Sequence, residues 1–335
     1  MESPLQPAVP SQRVLVVSED AELRETLAQA VQRGGGLPVR VAGLQALEGP
    51  QLAQRLVVFA WDGNLPALRA LVSRLRESAQ VIAVTPQRSL GDQVALLHDP
   101  HVCHVLTSDA RLPFLLQVTI SKFVSGDLFG VEKYLPAGTN ISLTRLRDYQ
   151  GREKAISEVL EYAEKSGVRN RIRDKIGTVC VELLMNALYD APVDDKGQRV
   201  FEHVEAKDRI EQLTPRPVSI RYAMVDGMFA VSVRDRFGSL DKATILRYIE
   251  KCLRSPNQID RKTYGAGLGI YLIANAATQY VVNIAPGMAT EVVCTFDCGT
   301  QTPLRALSVF LYPGGASAGQ PPSQMSGNHQ KSGKG

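Results

Sequence analysis

No window of this 335-residue chain approaches the roughly eighteen uninterrupted apolar residues of a membrane span, so no transmembrane helix and no membrane partner are expected. A strong excess of either charge is missing too. Lys and Arg total 38 against 34 Asp and Glu, a formal charge of +4, too near balance for nucleic acid or a polyanionic surface to be the main partner. The N-terminal Met-Glu-Ser-Pro-Leu-Gln-Pro has neither a basic stretch nor an apolar h-region, and the protein reads as soluble and cytoplasmic. Cysteines are few. Cys103, Cys180, Cys252, Cys294 and Cys298 lie mostly inside apolar runs, which fits buried thiols in a reducing compartment and argues against a disulfide framework. Aromatics reach only 6%, yet hydrophobic residues make up 44%, which excludes disorder throughout; the length favours two globular domains over one.

After a Pro-containing leader (1–12), the apolar run Arg13–Val17 predicts a strand, and Leu23, Leu27 and Val31 recur at helical spacing. The pattern then repeats. Strands are expected at 39–41, 56–60, 81–84 and 102–106, with helices at 65–78 and 90–98, an alternation that implies a parallel sheet covered on both faces. Residues 121–150, punctuated by Gly126, Gly130, Pro136 and Gly138, are expected to connect this domain (13–120) to a second (151–312). The second opens with two helices, 153–166 and 170–190. A hairpin follows, with β-like runs 218–224 and 228–233 around Val225-Asp226-Gly227. A helix over 240–253, a polar glycine-rich segment over 255–269, a helix over 268–279 and strands at 280–284, 291–296 and 306–311 complete it. Residues 313–335 are too poor in apolar side chains to pack and are expected to be a disordered tail.

Three features of the second domain carry chemistry. Glu182, Asn186 and Asp190 recur every four residues on one helix, a polar stripe that is either a solvated face or a place where a carboxylate and an amide oxygen hold a hydrated Mg²⁺. Asp235 ends a strand, where its carboxylate can accept a hydrogen bond from an exocyclic amine. Gly265-Ala266-Gly267-Leu268-Gly269 precedes an apolar helix, so that backbone N–H groups can face an anion. In this order and at these separations, the pieces resemble the nucleotide-binding domain of the GHKL superfamily, which includes histidine kinases, anti-sigma-factor serine kinases, gyrase, Hsp90 and MutL. The resemblance covers about 153–297 and implies an α/β sandwich with Mg²⁺-ATP bound between helices and a mixed sheet. It places Glu182 as general base and Asn186 as Mg²⁺ ligand, both in the N box, and Asp235 at the adenine amino group. Gly265, Gly267, Leu268 and Gly269 fall at the phosphates, with Asp190, Gly238 and Thr290 beside the nucleotide. Lys251, Arg254, Arg261 and Lys262 occupy the place of the ATP lid. The chain departs from the family's Asp-x-Gly-x-Gly, reading Asp235-Arg236-Phe237-Gly238-Ser239, with Phe237 expected beside or inside the adenine pocket.

The absence of histidine between Ser125 and Met185 excludes a phosphoacceptor helix upstream of the N box. A self-contained histidine kinase is therefore not expected. The family then implies ATP hydrolysis or phosphorylation of a partner signalling protein on Ser, Thr or His, and the two opening helices could dock that partner or form a homodimer. In the first domain, Asp62 with Pro66 four residues on, and Thr85 at the next strand end, resemble a flavodoxin-like response-regulator receiver. There Asp62 would accept phosphate, and Glu19 with Asp62 would hold Mg²⁺. Ser18 stands where the first acidic residue belongs, and Thr107-Ser108 where the switch lysine does, which favours a pseudo-receiver. His98, His101, Cys103 and His104 are close in sequence, but strand alternation separates the last two, so zinc is not expected. The expected fold class is α/β: a doubly wound parallel sheet followed by a GHKL sandwich with a mixed sheet. The expected function is ATP-dependent signalling, with a non-catalytic nucleotide-gated or nucleotide-free interaction module as the alternative.

Overall fold

The computed structural model describes residues 12–86, 89–201, 204, 208, 213–254, 268–299 and 304–311. The leader before Gln12 and the tail after Leu311 lie outside them. The N-terminal half alternates β1 (Arg13–Val17), α1 (Ala21–Arg33), β2 (Leu37–Val41), α2 (Gly49–Leu52), β3 (Leu56–Ala60), α3 (Leu65–Val72), β4 (Gln80–Thr85), α4 (Leu90–Leu97), β5 (Val102–Thr107) and α5 (Leu112–Ser125). Its strands pair in parallel in the order β2-β1-β3-β4-β5, the flavodoxin-like doubly wound arrangement. Alternation explains the two covered faces. Val14, Val16, Val58 and Ile82 pack on α1 and α5, while Leu15, Val17, Val57 and Ala83 pack on α3 and α4.

The second half contains β6 (Ser142–Leu146), α6 (Tyr149–Lys165), α7 (Asn170–Met185), β7 (Val218–Val225), β8 (Met228–Arg234), α8 (Lys242–Arg254), α9 (Leu268–Ala276), β9 (Gln279–Ala285), β10 (Ala289–Asp297) and β11 (Ala306–Leu311). The expected connector 121–150 thus holds the end of α5, the edge strand β6 and the start of α6. Helix α9 stops three residues short of the expectation because Thr278 N–H turns to the carbonyl of Thr295, and Gln279 already pairs in the sheet.

All the described strands join one mixed sheet. Strand β11 lies between the halves, antiparallel to β5 and parallel to β9, and the order runs on as β10-β8-β7-β6. One apolar cluster runs along the α3–α4 and α6–α9 side of this sheet across both halves. On the other side, Val131, Tyr134 and Leu135 pack on Ala230, Val281 and Val293. There the buried Lys122 ammonium donates to Asn283 Oδ1 (2.5 Å) and the Tyr134 hydroxyl (3.0 Å), and lies 3.5 Å from the Phe310 ring centre. Asn283 Nδ2 and the Gly130 N–H both donate to Glu291 Oε2. Desolvation holds the Lys122 pKa well below the usual lysine range, with Glu291 pulling it back up. The chain of hydrogen bonds Lys122–Asn283–Glu291 therefore ties α5 to β9 and β10.

Candidate functional site

Strand β8 ends at Arg234, and Asp235 turns its carboxylate into the interior, 5% exposed. Its Oδ1 accepts from the backbone N–H groups of Phe237 (2.7 Å), Gly238 (3.2 Å) and Thr290 (3.3 Å). Oδ2 is outside that set, and the residue lines a cleft together with Asn186, Asp190 and Thr290. Burial pushes the Asp235 pKa up, while the three N–H groups pull it down. The Thr290 hydroxyl stands beside the carboxylate, buried and without a hydrogen bond of good geometry.

The displaced glycine of the motif has a specific task. Gly238 takes φ +62°, where an added Cβ would collide with the Ala285 carbonyl oxygen and crowd the Ala289 and Gly287 N–H groups. Gly238 O in turn accepts from Gly287 N–H at 3.2 Å. Phe237 is 2% exposed, lies under the Arg216 guanidinium and does not line the cleft, so its ring does not fill it. Ser239 donates its hydroxyl to the Ala191 carbonyl (2.8 Å) and joins this loop to the end of the helix that carries Asn186 and Asp190.

That helix does not carry one straight stripe. At Asn186 it widens from α to π, with Ala191 N–H reaching back to Asn186 O, so the four-residue repeat is broken. Asn186 and Asp190 line the cleft together with Asp235, but Glu182 does not. Its carboxylate packs against Gly269 in the first turn of α9, where a Cβ would strike it. Desolvation raises the Glu182 pKa, the Arg152 guanidinium lowers it and Asp190 raises it further. The backbone of Leu268 opens α9; Gly265, Gly267, Arg261 and Lys262 fall outside the described residues. Thr244 and Tyr248, four apart on α8, complete the wall. A threonine and a tyrosine on an amphipathic helix give no chemical signal of their own in the sequence.

A second cavity opens at the carboxyl ends of β1, β3, β4 and β5, lined by Ser18, Glu19, Asp20, Trp61, Asp62 and Ser108 among others. Asp62 Oδ1 accepts from Asn64 N–H, and Asp20 Oδ1 caps α1 by accepting from Glu22 and Leu23 N–H. Among the described residues no three His, Cys, Asp or Glu side chains gather as a metal site. His98 ends α4 and pairs with Glu250, His101 bonds Asp99, and His104 is buried between Phe123 and Phe310. All five cysteines are free thiols, and among the described residues no helix is long and apolar enough to cross a membrane.

No protein-family model matches the sequence, and no curated protein matches it. Among solved structures, the chain is similar to one in the SiaB–SiaC complex from Pseudomonas aeruginosa, at 15% identity over 46% of this chain and 88% of that one, with a TM-score of 0.31. A putative CpaE2 pilus assembly protein from Sinorhizobium meliloti matches at 19% identity over 32% of this chain and 98% of its own, with a TM-score of 0.26. The orphan response regulator HP1043 of H. pylori matches at 16% identity over 35% and 92%, with a TM-score of 0.26.

Proposed function

We propose that the cleft around Asp235 binds Mg²⁺-ATP in the manner of a GHKL ATPase and that the protein phosphorylates a partner signalling protein. The observation that carries this reading is the Asp235 carboxylate, buried at the cleft and oriented by three backbone N–H groups on one oxygen. Such an acceptor suits an exocyclic amine and penalises a carbonyl in its place. The donor set fits the rest of the ligand. The Thr290 hydroxyl stands beside Asp235, and Asn186 and Asp190 of the same cleft would supply the oxygens for a hydrated Mg²⁺. The bound nucleotide supplies the transferable phosphoryl group and its metal the charge that stabilises transfer. Glu182, its pKa raised at the first turn of α9, is the chain's own proton acceptor for an incoming hydroxyl. The second reading, a nucleotide-gated module without chemistry, is favoured by one observation: Glu182 lies off the cleft wall.

Calorimetry with Mg²⁺-ATP tests the binding. Micromolar affinity, weakened about tenfold or more by Asp235→Asn and by Asn186→Asp, is expected. A parent chain that does not bind at millimolar ATP overturns the reading. Product release separates the two versions: Glu182→Gln abolishes it with affinity retained if the protein is an enzyme, whereas a gated module releases no ADP in the parent.

A further inference from the structure

Helix α8 walls the cleft on one side and is gripped by the N-terminal half on the other. Asp241 caps its first turn, taking the Thr244 N–H on Oδ1 and the Thr244 hydroxyl on Oδ2, both at 2.8 Å, and both residues line the cleft. Lys242, between them in sequence, leads the opposite way. Its Nζ donates to the carbonyl oxygens of Asp99 (2.9 Å) and Val102 (2.7 Å), which bracket the turn from α4 into β5. Two turns on, Glu250 meets His98 at the end of α4 (2.7 Å) while Tyr248 lines the cleft. Leu90 of α4 and Leu253 of α8 pack against the same apolar cluster.

Spacing explains the division of labour. At 100° per residue, Asp241, Thr244 and Tyr248 fall on one side of α8, and Lys242, Glu250 and Leu253 on the other. A lysine head group ordinarily stays in water at the end of its flexible stem. Here it is half-buried and spends two of its three donors on main-chain oxygens of the other half, which cannot be rearranged as side chains can.

We propose that Lys242 is a positioning residue of the cleft. By anchoring the first turn of α8 to the α4–β5 turn, it sets where Asp241, Thr244 and Tyr248 stand, so that the N-terminal half acts on the C-terminal site through this helix. The nucleotide part of this inference rests on the reading of the cleft given above. It can be tested on the full chain at a temperature where circular dichroism shows every variant folded. Lys242→Met is expected to weaken Mg²⁺-ATP binding about tenfold, Lys242→Arg, which can donate to the same carbonyls, to stay within about twofold of the parent, and His98→Ala to fall between. Amide exchange over 243–253 should quicken in Lys242→Met while β8 and β10 keep their protection. A merely structural brace would lower the melting temperature and leave affinity untouched, and that result overturns the proposal. So does unchanged exchange in α8. A parent that binds no Mg²⁺-ATP overturns the nucleotide reading instead, and the exchange data then decide on their own whether Lys242 positions α8.

Discussion

The cleft around Asp235 and the basin around Asp62 both lie where strands of one sheet end, and both carry carboxylates, yet the chain treats the two acids differently. Asp235 is 5% exposed and held by backbone N–H groups from its own loop and from β10, so its orientation is set before any ligand arrives. Asp62 is exposed on the turn after β3, where one of its oxygens holds the Asn64 N–H, and its neighbour Asp20 is committed to the α1 cap. No lysine stands at the end of β5 to meet an acyl phosphate. An acid that is buried and preorganised can discriminate between ligands, while an exposed one is solvated and gives its partners little energy. On the function proposed above, the difference puts the candidate site in the C-terminal half and gives the N-terminal half a role in support.

Four changes break or sharpen this contrast. Gly238→Ala should have the largest effect, about 3 kcal/mol of lost stability in urea unfolding, because it adds a left-handed backbone penalty to a collision with the Ala285 carbonyl. Asp20→Ala should cost about 1 kcal/mol, the ordinary value of a helix cap, and leave ATP affinity unchanged. The pH profile comes next. Because the folded Asp235 pKa is raised, its carboxyl favours folding when protonated, and that contribution is lost as pH rises from the ordinary carboxylate value through the raised one. Stability of the parent should fall across that window relative to Asp235→Asn, measured by denaturant titration at stepped pH. Asp62→Ala should have the smallest effect, within about 0.5 kcal/mol, and acetyl phosphate should label neither it nor the parent. Labelling that disappears in Asp62→Ala would make the basin a working phosphoacceptor and remove the contrast.

Local patterns made the elements legible. The runs 13–17, 56–60 and 102–106, the Asp226-Gly227 hairpin and the helical spacing over 170–190, which is α7 followed by the π turn at Asn186, each point to the element the structure contains. Asp235, Asn186, Asp190 and Thr290 were likewise readable, and the structure brings all four to one cleft. What escaped depends on distance along the chain. The pairing of β11 with β5 joins residues about two hundred positions apart, and Lys122 meets Asn283 across a comparable gap, with nothing in either neighbourhood to announce it. Where the Phe237 ring packs is not legible locally either, because its partner Arg216 comes from a separate segment. Glu182 stands one ordinary α turn before Asn186, yet its carboxylate lies against Gly269 of α9, a neighbour about ninety positions away that nothing around Glu182 announces.

The most direct measurement is the affinity of the full chain for Mg²⁺-ATP against Mg²⁺-ITP, which differ in having an amine or a carbonyl at the purine 6-position. A carboxylate oriented toward that position predicts that ATP binds at least about tenfold more tightly, and that Asp235→Asn, whose amide can serve either group, erases the preference. Equal affinity for the two nucleotides in the parent, or a preference that survives in Asp235→Asn, would contradict the account.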